Sequence, residues 1–139
     1  MKKLATLIIL FTTILNLQAQ DLSTKKKLDK SSVINVSAIV FKKMLSEHTN
    51  TQIIDIRTPQ EYKAGHIKGA KLINFYDSNF MKNIEKAELK KEQPIFIYCR
   101  SGHRSKASIR FFKELGFKKI VNLAHGINDW YKNEFPVEN

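Results

Sequence analysis

Residues 95–98 (Ile-Phe-Ile-Tyr) form a run of four large apolar residues that is followed directly by a polar loop and a helical pattern. A short run of β-branched and aromatic residues predicts a buried strand. The loop begins at Cys99, the one cysteine of the chain, and contains Arg100, Gly102 and Arg104. A helix that begins near Arg104 directs its N–H groups and the positive end of its dipole toward the thiol. A core thiol is the plain alternative, but it needs neither the arginines nor the glycine.

Short apolar runs and helical patterns continue to alternate on both sides of this unit. The predicted strands are residues 33–35, 51–56, 71–73, 94–98 and 119–122. The predicted helices are residues 38–46, 59–64, 77–86, 104–115 and 126–132. This alternation predicts an α/β fold in which helices cover both faces of a five-stranded parallel sheet. Functional sites of such sheets lie beyond the carboxyl ends of the strands, where both Cys99 and Arg57 fall.

The N-terminus has the pattern of a signal peptide over residues 1–19. Lys2 and Lys3 precede an apolar stretch that ends near Leu17, and Ala19 is a small residue at the expected cleavage point. The stretch is shorter than the ~20 residues of a membrane span, so an uncleaved anchor is the weaker alternative. Residues 20–32 are polar and predict a linker or flexible arm before a domain at 33–137.

These features predict an exported protein of the bacterial periplasm. The expected cleavage region contains no cysteine, so we expect no lipid-modified N-terminus and no stable membrane anchor after cleavage. The formal net charge is +11, which favours anionic small molecules or acidic partners, or serves solubility. The lysines are not interleaved with aromatic residues, so no nucleic-acid partner is expected. The four histidines are scattered and no second cysteine is present, so we expect neither a metal nor a cofactor.

Three groups of residues occur in a fixed order along the predicted domain. They are 54–62 (IDIRTPQEY) with 65–70 (GHIKGA); 98–105 (YCRSGHRS); and 115–117 (LGF), 121–123 (VNL) and 126–130 (GINDW). In this order and at these spacings they resemble the motifs of the rhodanese-like (thiosulfate sulfurtransferase) domain family. The resemblance covers residues from about 33 to 137. It implies a single-domain member with the family's three-layer α/β/α fold, and the predicted signal peptide makes this an exported member.

The resemblance also implies the chemistry of the site. Cys99 is expected to be the nucleophile of a sulfurtransferase and to carry sulfane sulfur as a persulfide. The donor would be a small anion such as thiosulfate or a polysulfide, and the acceptor cyanide, a thiol or a protein. The loop that would cradle the anionic sulfur consists of Arg100, Ser101, Gly102, His103, Arg104 and Ser105. The hydroxyl of Ser105 is expected to hydrogen-bond the sulfur.

Residues around the loop receive supporting roles by the same resemblance. The candidate ligands of the anionic donor are Arg57, Arg100 and Arg104, and the residues expected to support the structure are Asp55, Glu61 and His66. Two alternatives stay open for Arg57, which either points at the site or pairs with Glu61, and for Arg100, which is either a donor ligand or a solvated surface residue. The family usually has Gly-Gly before the last helix, whereas this chain has His125-Gly126. His125 therefore either lines the pocket or is an exposed turn residue.

Two other functions compete with sulfur transfer by turnover. A sulfur carrier without turnover, or a protein-interaction module, would use the same domain. A cysteine phosphatase or arsenate reductase also cradles an anion beside a cysteine and an arginine. In those enzymes the loop between the cysteine and the arginine is one residue longer than here, where four residues separate Cys99 from Arg104. The shorter ring fits a single sulfur atom better than a tetrahedral phosphate.

Overall fold

The computed structural model describes residues 32–139. The predicted signal peptide at 1–19 and all but the last residue of the predicted arm at 20–32 lie outside the described residues. Residues 33–139 group as one compact unit, and the predicted domain boundaries at 33 and 137 stay a prediction. Within the described residues, no helix is long and apolar enough to cross a membrane.

Strands and helices alternate along the described part of the chain. The strands are β1 (Ser32–Val36), β2 (Gln52–Asp55), β3 (Lys71–Leu72), β4 (Ile95–Tyr98) and β5 (Lys119–Leu123). The helices are α1 (Ala38–Glu47), α2 (Pro59–Lys63), α3 (Phe80–Lys86), α4 (His103–Glu114) and α5 (Gly126–Lys132). Every predicted element is present, and most ends agree within one or two residues.

The largest difference lies at the start of α3, which the sequence predicts at Asp77 and the structure places at Phe80. The carboxylate of Asp77 accepts a hydrogen bond from the Asn79 N–H over 2.8 Å and so closes a local turn. Asp side chains that accept the N–H two residues on close a turn of the kind that precedes helices. Residues 77–79 therefore form a turn before α3 and not its first turn.

The sheet contains five strands in the order β1-β5-β4-β2-β3, and the predicted α/β fold with a five-stranded parallel sheet is confirmed. The central strand β4 pairs in parallel with β2 and β5. In this register Asp55 at the end of β2 lies opposite Tyr98 at the end of β4. The residues that follow these strands, among them Arg57 and Cys99, therefore lie at the same edge of the sheet.

Alternate residues of β4 face opposite layers of helices. Ile95, Ile97 and Cys99 belong to a buried cluster that includes Phe112 of α4. Phe96 faces the other way, where its ring packs edge-on against Phe41 of α1 at 5.3 Å between centroids. Successive side chains of a strand point to opposite faces, so this single strand contributes to both halves of the core. The three-layer arrangement follows, and the Cys99 side chain lies on the α4 side.

The loop after β4 is held by the first residues of α5. The Ile127 N–H donates to the Cys99 carbonyl over 2.8 Å, and the Asn128 N–H donates to the Arg100 carbonyl over 3.1 Å. The backbone approach is so close that a Cβ atom on Gly126 would collide with both carbonyl groups. Gly126 has φ of +62°, a conformation that other residues adopt at a cost.

We expect Gly126→Ala to lower the free energy of unfolding by about 2–4 kcal/mol, since it adds a collision to the cost of the positive φ. Gly69→Ala is the matched control, because Gly69 also has a positive φ of +77° but its added Cβ would meet nothing within 4 Å. That control should lose only about 1–2 kcal/mol. Urea unfolding of both variants measures the difference. Equal losses of unfolding free energy in the two variants would contradict the close backbone approach at Gly126.

Candidate active site

Cys99 lies directly after β4 at the sheet edge and is buried, with 1 % of its surface exposed. Its Sγ accepts a hydrogen bond from the Gly102 N–H over 3.1 Å. Gly102 is also the N-cap of α4, so Sγ lies beside the first turn of that helix. Backbone N–H groups at a helix start carry partial positive charge and stabilise an anion. The arrangement is suited to holding a thiolate or another anionic sulfur.

Gly102 permits the tight return of the loop. It has φ of +94°, and a Cβ atom at this position would collide with the Ala124 carbonyl group in the turn before α5. The loop of Cys99 and the β5–α5 turn therefore meet at two glycines, Gly102 and Gly126. The predicted start of the cradle helix at Arg104 is one residue late, because Gly102 caps a helix that begins at His103.

The other predicted members of the loop take different positions. Arg100, Ser101 and His103 are exposed, and the Ser101 hydroxyl lies 3.2 Å from Nδ1 of His103. Ser105 is buried, but its hydroxyl donates to the Gly102 carbonyl over 3.2 Å. The single hydroxyl proton is therefore donated to the backbone, and the sequence-based expectation that it would hydrogen-bond the sulfur is wrong.

Arg104 forms a two-pronged ion pair with Glu61 of α2. Its Nη1 and Nη2 atoms donate to the two carboxylate oxygens over 2.8 and 2.7 Å. The hydrogen bonds to Glu61 are the main cause that raises the pKa of Arg104, and the nearby Cys99 adds to it. Two of the five N–H donors of Arg104 bind Glu61, and the hydrogen bond to Cys99 Sγ comes from Gly102, so Arg104 acts on Cys99 through its charge. Of the two open alternatives for Arg57, the pair with Glu61 is therefore wrong, because Glu61 pairs with Arg104.

Glu61 also closes the N-terminus of α2. Its carboxylate accepts the Thr58 N–H over 3.1 Å, while the Thr58 hydroxyl accepts the Glu61 N–H over 3.3 Å, which makes a capping box. Hydrogen bonds from Arg104 above all, and then those from Thr58, lower the pKa of Glu61 to about 2. This carboxylate thus joins α2 to the Cys99 loop.

Asp55 and Arg57 form a buried pair at the end of β2. The Arg57 guanidinium donates to both Asp55 oxygens over 2.6–3.0 Å and to the Gly65 carbonyl over 2.7 Å. Burial alone would lower the pKa of Arg57, but the hydrogen bonds and charge of Asp55 raise it overall. Asp55 also accepts the Arg57 backbone N–H over 2.9 Å. These contacts fit the supporting role predicted for Asp55 and give no support to Arg57 as a donor ligand.

His66 makes its contacts with Tyr62 and Glu138. Its ring stacks on Tyr62 at 3.7 Å between centroids, with Nδ1 3.1 Å from the Tyr62 carbonyl. Its backbone exchanges two hydrogen bonds of 2.8 Å with Glu138 near the C-terminus. His66 therefore ties the end of the chain to α2, which is consistent with the predicted supporting role.

His125 is exposed and has φ of −109°. This ordinary backbone conformation explains why histidine can replace the family's first glycine, whereas Gly126 cannot be replaced in the same way. The structure favours the alternative of an exposed turn residue. Among residues 32–139, no group of His, Cys, Asp or Glu side chains is arranged to hold a metal ion.

Sequence reasoning missed two tyrosines near the site. The Tyr98 hydroxyl accepts the Ile67 N–H over 3.1 Å, and burial raises the pKa of this side chain. Tyr76 is 67 % exposed, and its ring faces the Arg104 guanidinium at 5.3 Å from the ring centroid. The sequence carries no local signal for Tyr76, because its partner Arg104 lies in α4, an element remote in sequence.

The Glu61–Arg104 pair predicts a change in acid stability. The pKa of Glu61 in the folded protein, about 2, lies below the ordinary 4.5, so its stabilisation is present above pH 4.5 and lost as the pH falls toward 2. We expect Glu61→Gln to lower the free energy of unfolding by about 1–2 kcal/mol at pH 7, since the pair is partly solvated. The difference from the unmodified protein should shrink between pH 4.5 and 2.

Urea unfolding at a series of pH values measures this difference. Glu85→Gln in α3 is the control, because Glu85 is an exposed carboxylate of the same type. The free energies of unfolding of Glu85→Gln and of the unmodified protein should differ by a small amount that is nearly constant with pH. A Glu61→Gln difference that persists at pH 2 would contradict the ion pair as its cause.

Comparison with known proteins finds a family model that covers the Cys99 site, and several similar relatives. Residues 37–133 match the family model "Rhodanese-like domain". A relative from Bacillus subtilis, "Putative sulfur carrier protein YrkF", is 34% identical over 72% of this chain, and the match spans only 52% of the relative. A "Sulfurtransferase" from Allochromatium vinosum is 30% identical over 67% of this chain and 83% of its own length.

Solved structures share the fold. A rhodanese-like domain protein from Staphylococcus aureus superposes with a TM-score of 0.60 and 28% identity, covering 69% of this chain and 89% of that one. The polysulfide-sulfur transferase homodimer from Wolinella succinogenes gives a TM-score of 0.64 and 25% identity, covering 85% and 88%. The family model covers most of the domain, and the matched residues include Cys99 and its loop. The chain therefore belongs to the rhodanese-like domain family.

Proposed function

We propose that this protein is a sulfurtransferase that carries sulfane sulfur as a persulfide on Cys99. The observation that carries the proposal is the position of Sγ, which accepts the Gly102 N–H over 3.1 Å beside the start of α4. An anionic sulfur is favoured at this point by the N–H groups and by the helix dipole. Relatives named as sulfurtransferases support the same reaction class.

The reaction proceeds in two half-reactions. In the first, the Cys99 thiolate attacks the outer sulfur of thiosulfate, the S–S bond of the donor breaks, and sulfite leaves with the bonding electron pair. In the second, cyanide or a thiolate attacks the terminal sulfur of the persulfide, and the Cys99 thiolate leaves. One sulfur atom is passed on and Cys99 returns to its starting state, so the cycle needs no cofactor.

Residues around Cys99 take roles that follow from their contacts. The Gly102 N–H holds the inner sulfur, and the charge of Arg104 stabilises the anionic persulfide. Glu61 fixes the Arg104 guanidinium in its orientation. Arg100 is exposed next to Cys99 and is the candidate ligand for an anionic donor. A polysulfide-type donor is supported by the Wolinella succinogenes structural neighbour, whose name gives that substrate.

A sulfur carrier without multiple turnover is the second candidate. The relative YrkF is named for sulfur carriage, and 1 % exposure of Cys99 restricts which acceptors reach its sulfur. A cysteine phosphatase or arsenate reductase remains the weaker alternative. The four residues between Cys99 and Arg104 leave a ring that suits one sulfur atom.

Intact mass spectrometry with thiosulfate, and separately with polysulfide, tests the proposal. We expect a gain of about 32 Da that cyanide or a thiol removes and that Cys99→Ser lacks. Repeated formation of thiocyanate identifies an enzyme, whereas a stable adduct that discharges once identifies a carrier. No adduct from either donor would contradict sulfur transfer, and Lys82→Ser, at an exposed position of α3 away from the loop, is the control that should keep the adduct.

We further propose that the protein is exported to the bacterial periplasm by the signal peptide at residues 1–19. Expression of the full chain in a Gram-negative host should give a periplasmic protein that begins at Gln20, as measured by fractionation and intact mass. A chain without residues 2–19 should stay in the cytoplasm. An uncleaved full chain in the membrane fraction would support the anchor instead.

A further inference from the structure

Helix α4 carries an exposed row of positive side chains that begins beside the Cys99 loop. Lys106, Arg110 and Lys113 are exposed, and their spacings of four and three residues place them along one face of the helix. We call these three residues the basic row. A helix rises ~1.5 Å per residue, so the row extends about 10 Å along α4, from its first turn to its last.

The start of the row, Lys106 in the first turn of α4, opposes the ordinary charge preference of a helix, whereas Lys113 lies in the last turn, where the dipole favours a positive charge. The first turn of α4 contains no acidic residue, although acids are favoured there by the helix dipole. Among the described residues, no carboxylate lies within 4.0 Å of the charged groups of Lys106, Arg110 or Lys113. Glu114, the one acid of the helix, follows Arg110 by four residues and so lies at the far end of the same face, and the Arg110 guanidinium packs over the Phe111 ring at 4.5 Å from its centroid. At Lys106 the preference for acids at a helix start is broken with no carboxylate partner in the described part of the chain, which is typical of a functional surface.

The length of the row exceeds what a small donor requires. An anion the size of thiosulfate, bound at Cys99, is served by the Gly102 N–H and by the charge of Arg104. Arg110 and Lys113 lie about one and two turns beyond Lys106 and are out of its reach. Their charge therefore suits a ligand with several negative groups spread over a comparable length.

Tyr76 contacts Arg104 at the start of α4 and supplies an apolar anchor next to the Cys99 loop. It is 67 % exposed, and its ring faces the guanidinium that Glu61 holds in place. Exposed tyrosine with a restrained orientation is a frequent hot spot of protein interfaces. The carboxylate of the neighbouring Asp77 is turned toward Asn79 and Asn83, with which it forms hydrogen bonds of 2.8 and 3.1 Å.

We propose that Tyr76 and the basic row form a docking surface for an acidic protein whose thiol accepts sulfur from Cys99. The acceptor thiol would lie among Asp and Glu side chains, which pair with the row while Tyr76 packs against the partner. This inference rests on the proposed persulfide at Cys99 and names the class of its acceptor.

Two cysteine peptides of equal length, one with Glu and one with Gln around the thiol, serve as probes. The persulfide-loaded protein is mixed with each peptide, and its discharge is followed by intact mass at low and high salt. We expect discharge to the Glu peptide to be about tenfold faster than to the Gln peptide at low salt. The Lys106→Glu/Arg110→Glu variant should lose this advantage, while its discharge to cyanide changes less than about twofold.

Lys90→Glu/Lys91→Glu is the matched control. It changes the net charge by the same amount at exposed residues that precede β4, on the opposite edge of the sheet from Cys99. This variant should keep the preference for the Glu peptide. Tyr76→Ala should slow discharge to both peptides, and Tyr76→Phe should restore it. Melting temperatures separate these effects from unfolding, since Lys106→Glu places a favourable charge at the helix start and should not destabilise α4.

Equal discharge rates for the Glu and Gln peptides would overturn the docking surface. So would an equal loss of the preference for the Glu peptide in the two double variants. The basic row would then serve solubility. If no persulfide forms, the proposed function fails while the surface is still tested. A labelled Glu peptide should then bind the unloaded protein in a salt-dependent way that requires the basic row, and its failure to do so overturns the inference. Tighter binding of a single-stranded DNA oligonucleotide than of the Glu peptide would also overturn it.

Discussion

The hydrogen bonds from the Ile127 and Asn128 N–H groups to the Cys99 and Arg100 carbonyls hold the site together. They join two connections that are far apart in sequence, the loop after β4 and the turn after β5. Their closeness requires backbones without side chains at the points of contact, which is why Gly102 and Gly126 stand there. With the carbonyls so engaged, the loop returns over Cys99 and brings the Gly102 N–H to its sulfur.

Two ion pairs lie beside this junction, and they differ in burial. The Asp55–Arg57 pair is almost fully buried, and a buried charge is tolerated only when it is paired and hydrogen-bonded, so the charge of Arg57 is balanced within the structure by Asp55. The Glu61–Arg104 pair is partly exposed and lies next to Cys99. It fixes a positive charge near the sulfur without placing it in direct contact, and such a charge stabilises any anionic sulfur held there.

Exposed and mostly positively charged residues lie around the loop of the buried thiol. Cys99 itself is buried, whereas Arg100, Tyr76 and the basic row of α4 are exposed around and beyond its loop. Burial protects a reactive sulfur from solvent, and exposed charge gathers ligands of opposite sign. In the proposed sulfur transfer, partners are selected by the charge that they present to these exposed residues as well as by their chemistry at the sulfur.

The sequence by itself determined the order of the elements, the α/β class and the position of Cys99 at a strand end, because these follow from local periodicity, turn residues and motif spacing. Its misplaced start of α3 came from a local turn at Asp77. Only the tertiary structure decided which charges pair. Both Arg57 and Arg104 were plausible donor ligands, and the fold assigns them to Asp55 and Glu61. It likewise placed Tyr76 on Arg104 and turned the Ser105 hydroxyl to the backbone. Side-chain partners depend on distances between elements remote in sequence, which packing sets and local patterns do not encode.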